Sequence, residues 1–317
     1  MQSADEIPDS TIPDITNLAF WYYPCVIEKL HRLQSRILKI ENIDIRNFFL
    51  VCFSNCARKV SLADPKFSVP VKLKESSYPK NHKLHESIIK ILKGLKDADV
   101  LSVFKNICIK NIRRMESIAN LDKIDVPIYP DAKKLAIGRK KIKTSSVSLI
   151  ITSPPYAGAQ KYIRANSLSL GWLGYCDITP LAEIKRLSIG REDFKKSEFT
   201  ELQKTDVKKA DTFLELIHPL SPLRAHVAAC YLIEMRQALR EAYRVLKHDG
   251  YMILVVGNNQ VCGYEFHTDD FLKEIAEEEN FKTILCLSDD IKSRGLMTKR
   301  NKTAGMISSE IVLVLQK

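Results

Sequence analysis

The sequence lacks the features that mark membrane, secreted and metal-stapled proteins. No stretch approaches the roughly 18 uninterrupted apolar residues of a membrane span. The acidic, polar start "MQSADEIPDSTIPD" is unlike a signal peptide. Eight cysteines are scattered without a Cys-x-x-Cys pair, so we expect reduced core thiols and no disulfide framework. The eleven glycines are isolated, with no Gly-x-Gly anywhere. These absences favour a soluble, cytoplasmic globular protein.

The composition is that of a protein with a full core and a basic surface. The chain has 317 residues, of which 45% are hydrophobic and 27% charged, so one large domain or two smaller ones can form. The formal net charge is +11, and a basic excess of this size usually marks a polyanionic partner. Nucleic acid is the leading candidate. The alternative is a solvated basic surface without a partner.

The first 120 residues are predicted to form a basic helical region. Helical spacing runs from Tyr23 to Ile40, and a nearly all-apolar second helix around Phe48 to Ala57 is expected to be buried. A third helix is predicted from about His85 to Ala119. Cys52 and Cys56 lie four apart on the second helix and could share a metal, but core packing is the favoured interpretation.

From about Asp122 onward, strands alternate with helices. Short apolar runs predict a strand ending at Asp131, a buried strand in "SVSLII", and a long helix leading through a Gly turn into "YMILVVGNN". A further helix and two closing strands follow. The alternation predicts a doubly wound, mostly parallel α/β sheet, whose ligands bind beyond the carboxyl ends of the strands.

The quartet Ser153-Pro154-Pro155-Tyr156 lies at one of these carboxyl ends. Proline cannot donate a ladder hydrogen bond and biases the preceding residue away from helix, so the strand must end near Ser153. The quartet could be no more than a Pro-Pro turn that caps a strand.

Its context, however, resembles the DNA amino-methyltransferases, which carry Asp/Asn/Ser-Pro-Pro-Tyr/Phe/Trp at the end of a sheet strand. The flanking "DAKKL", "QKYIRANSLSLGWLG" and "REAYRVLKHDGYMILVVGNN" fall in that family's order, from about Asp122 to Lys317. The resemblance implies a Rossmann-like, S-adenosylmethionine-dependent methyltransferase sheet behind an N-terminal helical region, with S-adenosylmethionine as methyl donor and no metal. It also implies double-stranded DNA as the substrate, in a restriction-modification or related system.

The resemblance assigns the quartet the catalytic role, and its chemistry suits that task. The lone pair of an exocyclic amino group is delocalised into the base, so acceptors aimed at its hydrogens are needed to free it. Ser153 Oγ and the Pro154 carbonyl could be those acceptors, on a backbone held stiff by Pro154 and Pro155. Tyr156 would stack on a base flipped from the duplex. Serine at the first position favours N4 of cytosine, with N6 of adenine left open.

Other residues are weaker candidates, each with a plain structural alternative. Asp131, Ser153 and Asn258 are predicted to bind the cofactor, although Asp131 and Asn258 also suit ordinary turns. The side chains predicted to contact DNA are basic or aromatic, and a solvated loop is the alternative for the last three: Lys161, Tyr162, Arg164, Arg294, Lys299 and Arg300. Trp172 is predicted to be a core residue.

One element of the resembling family is missing. Its members bind S-adenosylmethionine through a strand and a Gly-rich turn, and here no Gly-x-Gly exists. We therefore expect the catalytic-motif half of a split N4-cytosine enzyme, whose cofactor-binding motif comes from a second polypeptide. Residues 1–120 would recognise DNA and the partner, and residues 121–317 would form the catalytic half. The alternatives are a DNA-recognition subunit without catalysis and an RNA amino-methyltransferase.

Overall fold

The computed structural model describes residues 17–77, 79–118, 131–136, 141–155, 157, 162–175, 178–291 and 309–317. The chain divides into two units, each described here by itself. A helical unit comprises Met1–Ile124 and Lys161–Ile184, and an α/β unit comprises Asp125–Gln160 and Lys185–Lys317. The chain passes from the α/β unit to the helical unit at Lys161, shortly after the Ser-Pro-Pro-Tyr quartet.

The helical unit confirms the predicted N-terminal helical region. Its helices are α1 (Leu18–Trp21), α2 (Pro24–Leu38), α3 (Ile43–Lys59), α4 (His85–Lys96), α5 (Val100–Glu116), α6 (Tyr162–Ala165), α7 (Ser167–Trp172) and most of α8 (Ile178–Leu187). The Asn42 side chain accepts hydrogen bonds from the backbone N–H groups of Asp44 and Ile45, which caps the start of α3.

Two expectations for this region were wrong. The single helix predicted from His85 to Ala119 is two helices, because the Asp99 carboxylate accepts from the Ser102 N–H and starts α5 with its own cap. The helix α3 is only half-buried, with Cys52, Phe53, Cys56 and Ala57 inside and Val51 59% exposed. The nearly all-apolar composition of α3 thus leaves apolar side chains on its outer side.

Trp172 is the centre of the core of the helical unit, as predicted. It is fully buried and meets the rings of Tyr22 and Phe53 edge-to-face, at centroid distances of 5.7 Å and 5.8 Å. Gln34 Nε2 donates a hydrogen bond to the Trp172 carbonyl, which joins α7 to α2. Edge-to-face rings of this kind contribute beyond their buried area.

The cysteines are free thiols wherever the structure describes them, but only some are core residues. Cys52, Cys56 and Cys108 are buried, whereas Cys25 and Cys286 are exposed. Burial raises the pKa of Cys56 and of Cys108 to about 12, because a thiolate is poorly solvated in the core.

This burial predicts a two-class pattern of thiol reactivity. In the native protein at pH 8, the exposed thiols of Cys25 and Cys286 should react rapidly with a disulfide reagent. The three buried thiols should react only after the protein unfolds. Mass spectrometry of the peptides, labelled before and after urea, measures this. Fast labelling of Cys56 in the native state would contradict the helical packing.

The α/β unit confirms the predicted alternation of strands and helices, but the expectation of a mostly parallel sheet was wrong. Its helices are α9 (Lys208–Ile217), α10 (Pro222–Val245) and α11 (Thr268–Glu278). Its strands are β1 (Val147–Thr152), β2 (Leu246–Val256), β3 (Asn259–Val261), β4 (Tyr264–Phe266), β5 (Lys282–Asp290) and β6 (Ser309–Gln316). The main sheet has the order β1-β2-β6-β5, with β1 parallel to β2, and β6 antiparallel to both neighbours. The main sheet is mixed, because β5 and β6 close it as an antiparallel pair. The small hairpin of β3 and β4 was not predicted.

The junction between α10 and β2 differs from the expected Gly turn. Strand β2 begins at Leu246, directly after the helix, and Gly250 lies inside the strand. A Cβ at Gly250 would lie 2.9 Å from the Lys247 carbonyl oxygen and 3.2 Å from the Ser148 carbonyl oxygen. The glycine therefore permits a close approach of backbones between β1 and β2.

One face of the main sheet packs against α9, α10 and α11. Met252, Leu254, Leu313 and Leu315 are buried on this face, in one cluster with residues of the three helices. Because strand neighbours in register point to the same face, the pairs Met252–Leu315 and Leu254–Leu313 fix its orientation. Among the described residues, no helix is long and apolar enough to cross a membrane.

Candidate functional site

The candidate site is the edge where β1 and β2 end side by side. The two strands are parallel, and Thr152 at the end of β1 pairs with Leu254 near the end of β2. Ser153 is therefore the first residue beyond the sheet, where it is exposed, while Pro154 is buried and Pro155 half-buried. The strand ends where the two prolines predict, at the kind of edge where open α/β sheets bind ligands. Tyr156 lies outside the described residues.

Asn259 connects the loops that follow the two strands. Its side-chain Nδ2 donates a hydrogen bond of 2.6 Å to the carbonyl oxygen of Ala157, and Ala157 is itself buried. Asn259 Oδ1 is buried without a hydrogen-bond partner among the described residues. The backbone just after the proline pair is thus held by a side chain 102 residues away in sequence.

Asn258, predicted to bind the cofactor, has a local partner. Its Oδ1 accepts a hydrogen bond of 3.2 Å from the backbone N–H of Asp269, in the first turn of α11. That N–H has no partner inside the helix, so Asn258 joins the end of β2 to the start of α11. A role in cofactor binding stays a prediction.

Asp131 lies in a turn, and the strand predicted to precede it lies outside the described residues. Its carboxylate accepts from the backbone N–H of Lys133 at 2.9 Å, and its carbonyl accepts from the Lys134 N–H at 3.1 Å. Lys133 then pairs with Glu234 of α10 at 3.7 Å. The geometry is that of an Asx turn anchored on α10, and cofactor contact stays a prediction.

The predicted DNA-contacting residues are only partly described. Tyr162 and Arg164 lie on α6 of the helical unit, and both are exposed. Lys161, Arg294, Lys299 and Arg300 lie outside the described residues. Exposed cations on the last turns of α5, Arg113 and Arg114, add to the positive surface of the helical unit.

A buried polar cluster on α10 was missed by the sequence analysis. His226 and Cys230 are one turn apart, with Cys230 Sγ and His226 Nε2 3.4 Å from each other, and His226 stacks edge-to-face on Phe194. Burial lowers the pKa of His226 and raises that of Glu234, one turn further along. The spacing of four residues between His226, Cys230 and Glu234, which places them on one face of α10, was the available signal. The cluster holds the segment around Phe194 against α10.

Potential metal ligands come together at one place among the described residues. His267, Asp269 and Asp270 lie at the start of α11, where acidic side chains are favourable beside the helix N-terminus without any ion. Cys52 and Cys56 are fully buried in the core cluster of the helical unit, which supports the interpretation as core residues.

Comparison with known proteins is informative at the level of sequence. No protein-family model matches the chain. The type II methyltransferase M.MvaI of Kocuria varians is 22% identical over 322 residues, which span 97% of this chain and 68% of that protein. The chain is a relative of this methyltransferase. The relationship agrees with the resemblance to DNA methyltransferases, without deciding between cytosine and adenine or between a split and a single-chain enzyme.

Solved structures give weaker similarities. TTHA0409 of Thermus thermophilus, an inferred DNA modification methylase, is 17% identical with a TM-score of 0.29, and the match covers 59% of this chain and 51% of that protein. Its complex with S-adenosyl-L-methionine gives 16% identity and a TM-score of 0.30 at the same coverage. The chain therefore spans about half the length of these proteins. Scores this low support no conclusion about the fold.

Proposed function

We propose that this chain is the catalytic-motif subunit of a DNA amino-methyltransferase that methylates N4 of a flipped cytosine. The observation that carries the proposal is the position of Ser153-Pro154-Pro155 directly beyond a parallel strand, next to the carboxyl end of β2. The relationship to a type II methyltransferase over 97% of the chain supports it. A restriction-modification context is part of the proposal.

Ser153 and Pro154 are the proposed acceptors for the amino group. The Ser153 side chain is exposed and can accept one N–H of the base through Oγ, while the Pro154 carbonyl accepts the other. The proline rings fix the backbone, so these acceptors need little reorganisation during the reaction. As its two hydrogens are held, the nitrogen lone pair is freed from conjugation. Methylation of the nitrogen would form an N–CH3 bond as the S–CH3 bond of the sulfonium donor breaks to leave a neutral thioether, and one proton would leave the nitrogen to water.

Cytosine is preferred over adenine because the first residue of the quartet is a neutral serine. A carboxylate there would be the stronger acceptor, as in the resembling N6-adenine members. The base must leave the helix stack to reach the end of β1, and Tyr156 is proposed to stack on it. The net charge of +11 supports binding to the phosphate backbone.

Only three residues of this chain are predicted to contact S-adenosylmethionine: Asp131, Ser153 and Asn258. When bound, this cofactor supplies an electrophilic methyl group. Two of the predicted contacts, Asp131 and Asn258, already accept backbone hydrogen bonds within this chain. The sequence holds no Gly-x-Gly turn for close backbone approach. We propose that a second polypeptide supplies that turn.

Nucleoside analysis tests the proposal directly. Duplex DNA of random sequence is incubated with S-adenosylmethionine and the chain in complex with its cofactor-binding polypeptide, then digested and analysed by mass spectrometry. N4-methylcytosine is the expected product. Detection of N6-methyladenine would show that the target base is adenine and that the proposal of cytosine is wrong. DNA binding without any methylated base would leave the alternative of a recognition subunit.

Asn259 gives a second, smaller test of the site. Asn259→Ala removes the 2.6 Å hydrogen bond to Ala157 and frees the backbone after the prolines. A hydrogen bond contributes about 0.5–1.5 kcal/mol net, so we expect kcat to fall by up to about tenfold with little change in KM for DNA.

Gln260→Ala is the matched control, since Gln260 is adjacent and exposed. Equal kinetics for the two variants would show that the contact with Ala157 does not position the site. A rise in KM for DNA alone would show that Asn259 acts in binding.

A further inference from the structure

The second face of the main sheet is apolar and open. Its apolar side chains follow from the strand register and belong to no buried cluster of the described residues: Leu149, Ile151, Tyr251, Ile253, Val255, Leu285, Leu287, Val312 and Val314. We name this set the outer face. Polar and charged side chains lie at the two ends of the same face, where Asp289 pairs with Glu310 and Lys282 with Gln316. Ile151 is 67% exposed and Leu287 is 49% exposed, at opposite sides of the sheet. Contiguous apolar areas of this kind mark interaction surfaces.

The outer face is unusual for a sheet with parallel pairing. All-parallel sheets have both faces covered by crossover helices, and an antiparallel sheet with one solvated face usually carries polar side chains there. An uncovered face with an apolar centre fits neither pattern. Here α9, α10 and α11 cover the inner face. The charged side chains of this face lie at its ends and the nine apolar side chains fill its centre, so exposing the centre to water is unfavourable.

Strand β1 is also an edge strand among the described strands. The order β1-β2-β6-β5 leaves its far side without a neighbour, and its exposed residues are Ser148, Leu149 and Ile151. Natural edge strands are usually protected by lysine, proline or a covering segment. Within Val147–Thr152 no lysine or proline protects the edge.

A single βα unit could both cover the outer face and pair with the free edge of β1. The connection from β1 to β2 passes through α10 on the inner face. Crossovers between parallel strands are right-handed, so strands that continue from β1 in the opposite direction place their helices on the opposite face. A βα unit that starts beside β1 would thus add a strand to the edge and lay its helix on the outer face.

Such a unit would also complete the site. Where the strand order reverses, a crevice opens at the carboxyl ends, and Ser153 lies at that end of β1. The match to the type II methyltransferase spans 68% of that protein, which leaves about a third of its length unmatched. A βα unit of a few strands and helices fits within that length.

Resting on the function proposed above, we infer that the outer face and the free edge of β1 form the docking surface for a second polypeptide carrying a Gly-rich βα unit. Its first strand pairs in parallel with β1, and its crossover helix presents apolar side chains to Ile151, Ile253 and Val314. A second copy of this chain fits less well, because two outer faces packed together would leave both β1 edges unpaired.

Photocrosslinking in the cells that naturally produce the protein tests the inference. A benzophenone amino acid is placed at position 151 or 287 of the full chain, on the outer face, and at position 220 as control. Leu220 is an equally exposed apolar residue, at 59%, between α9 and α10. Adducts are identified by peptide sequencing.

The expected result is an adduct from positions 151 and 287, but not 220, with a different polypeptide that carries a Gly-rich turn after a strand. Adding Ile151→Lys should lower the yield from position 287 by about tenfold or more, since a buried unpaired ammonium costs at least about 1.4 kcal/mol. An adduct with a second copy of this chain, equal adducts from all three positions, or none, would overturn the inference.

Methylation of DNA from the same cells separates the two proposals. If the specific adduct forms but the DNA contains no methylated cytosine, the proposed docking surface is supported and the proposed catalysis is wrong. If cytosine methylation depends on this chain but no adduct forms, the proposed catalysis is supported and the proposed docking surface is wrong.

Discussion

Replacing Ser153 with alanine is expected to lower methyl transfer to DNA by about 100-fold or more while DNA binding stays unchanged. Removal of one preorganised hydrogen-bonding group from a site of this kind typically costs about 10²–10³ in kcat. Ser153 is exposed directly beyond β1, so its loss leaves no cavity in the core. The measurement is single-turnover methyl transfer with saturating enzyme, beside a DNA-binding titration.

Two companion variants make the result specific. Ser288→Ala removes an exposed hydroxyl from β5, at the opposite side of the sheet, and should leave the rate unchanged. Ser153→Asn restores a side-chain oxygen acceptor and should recover part of the lost rate. If Ser153→Ala retained a rate within a few-fold of the unmodified protein, the acceptor role would be wrong. If it lost DNA binding as well, the serine would act in the structure of the edge.

Replacing Trp172 with alanine is expected to destabilise the helical unit by about 3–5 kcal/mol, the usual cost of removing a large aromatic side chain from a core. Trp172 is fully buried between the rings of Tyr22 and Phe53, and its neighbours cannot close the space without moving α2 and α3. The segment after the quartet would lose its anchor in the same step, since α7 ends at Trp172.

Urea unfolding followed by tryptophan fluorescence measures this change. The two tryptophans, Trp21 and Trp172, both belong to the helical unit, so the signal of Trp21 reports that unit in the variant. Leu101→Ala, at a 65% exposed position of α5, is the control and should change stability by less than about 0.5 kcal/mol. Equal midpoints for the two variants would contradict the packing around Trp172.

Local patterns in the sequence predict the elements on which the site depends. The run "VSLII" before two prolines predicts β1 and its end near Ser153, because proline excludes ladder hydrogen bonds, and the strand ends at Thr152. Strands β5 and β6 and helix α11 agree with their apolar spacing. Trp172 is buried, as its place among apolar residues predicts.

Features set by tertiary contacts could not be predicted from these patterns. The hydrogen bond from Asn259 to Ala157 joins residues far apart in the chain, and the sequence left Gly-Asn-Asn open between a place beside a ligand pocket and a tight turn. The break between α4 and α5 has neither glycine nor proline and depends on the Asp99 cap. The openness of the outer face was missed because an apolar strand is normally buried on both sides.

The central claim is that this chain supplies the reacting edge and needs a second polypeptide for the cofactor. The most direct measurement is transfer of labelled methyl groups from S-adenosylmethionine to duplex DNA by the purified chain alone, and by the chain co-expressed with the polypeptide encoded beside it. The account predicts transfer only in the pair. Transfer by the chain alone would contradict the need for a second polypeptide. Absence of transfer in both preparations, with DNA still bound, would contradict the proposed catalysis.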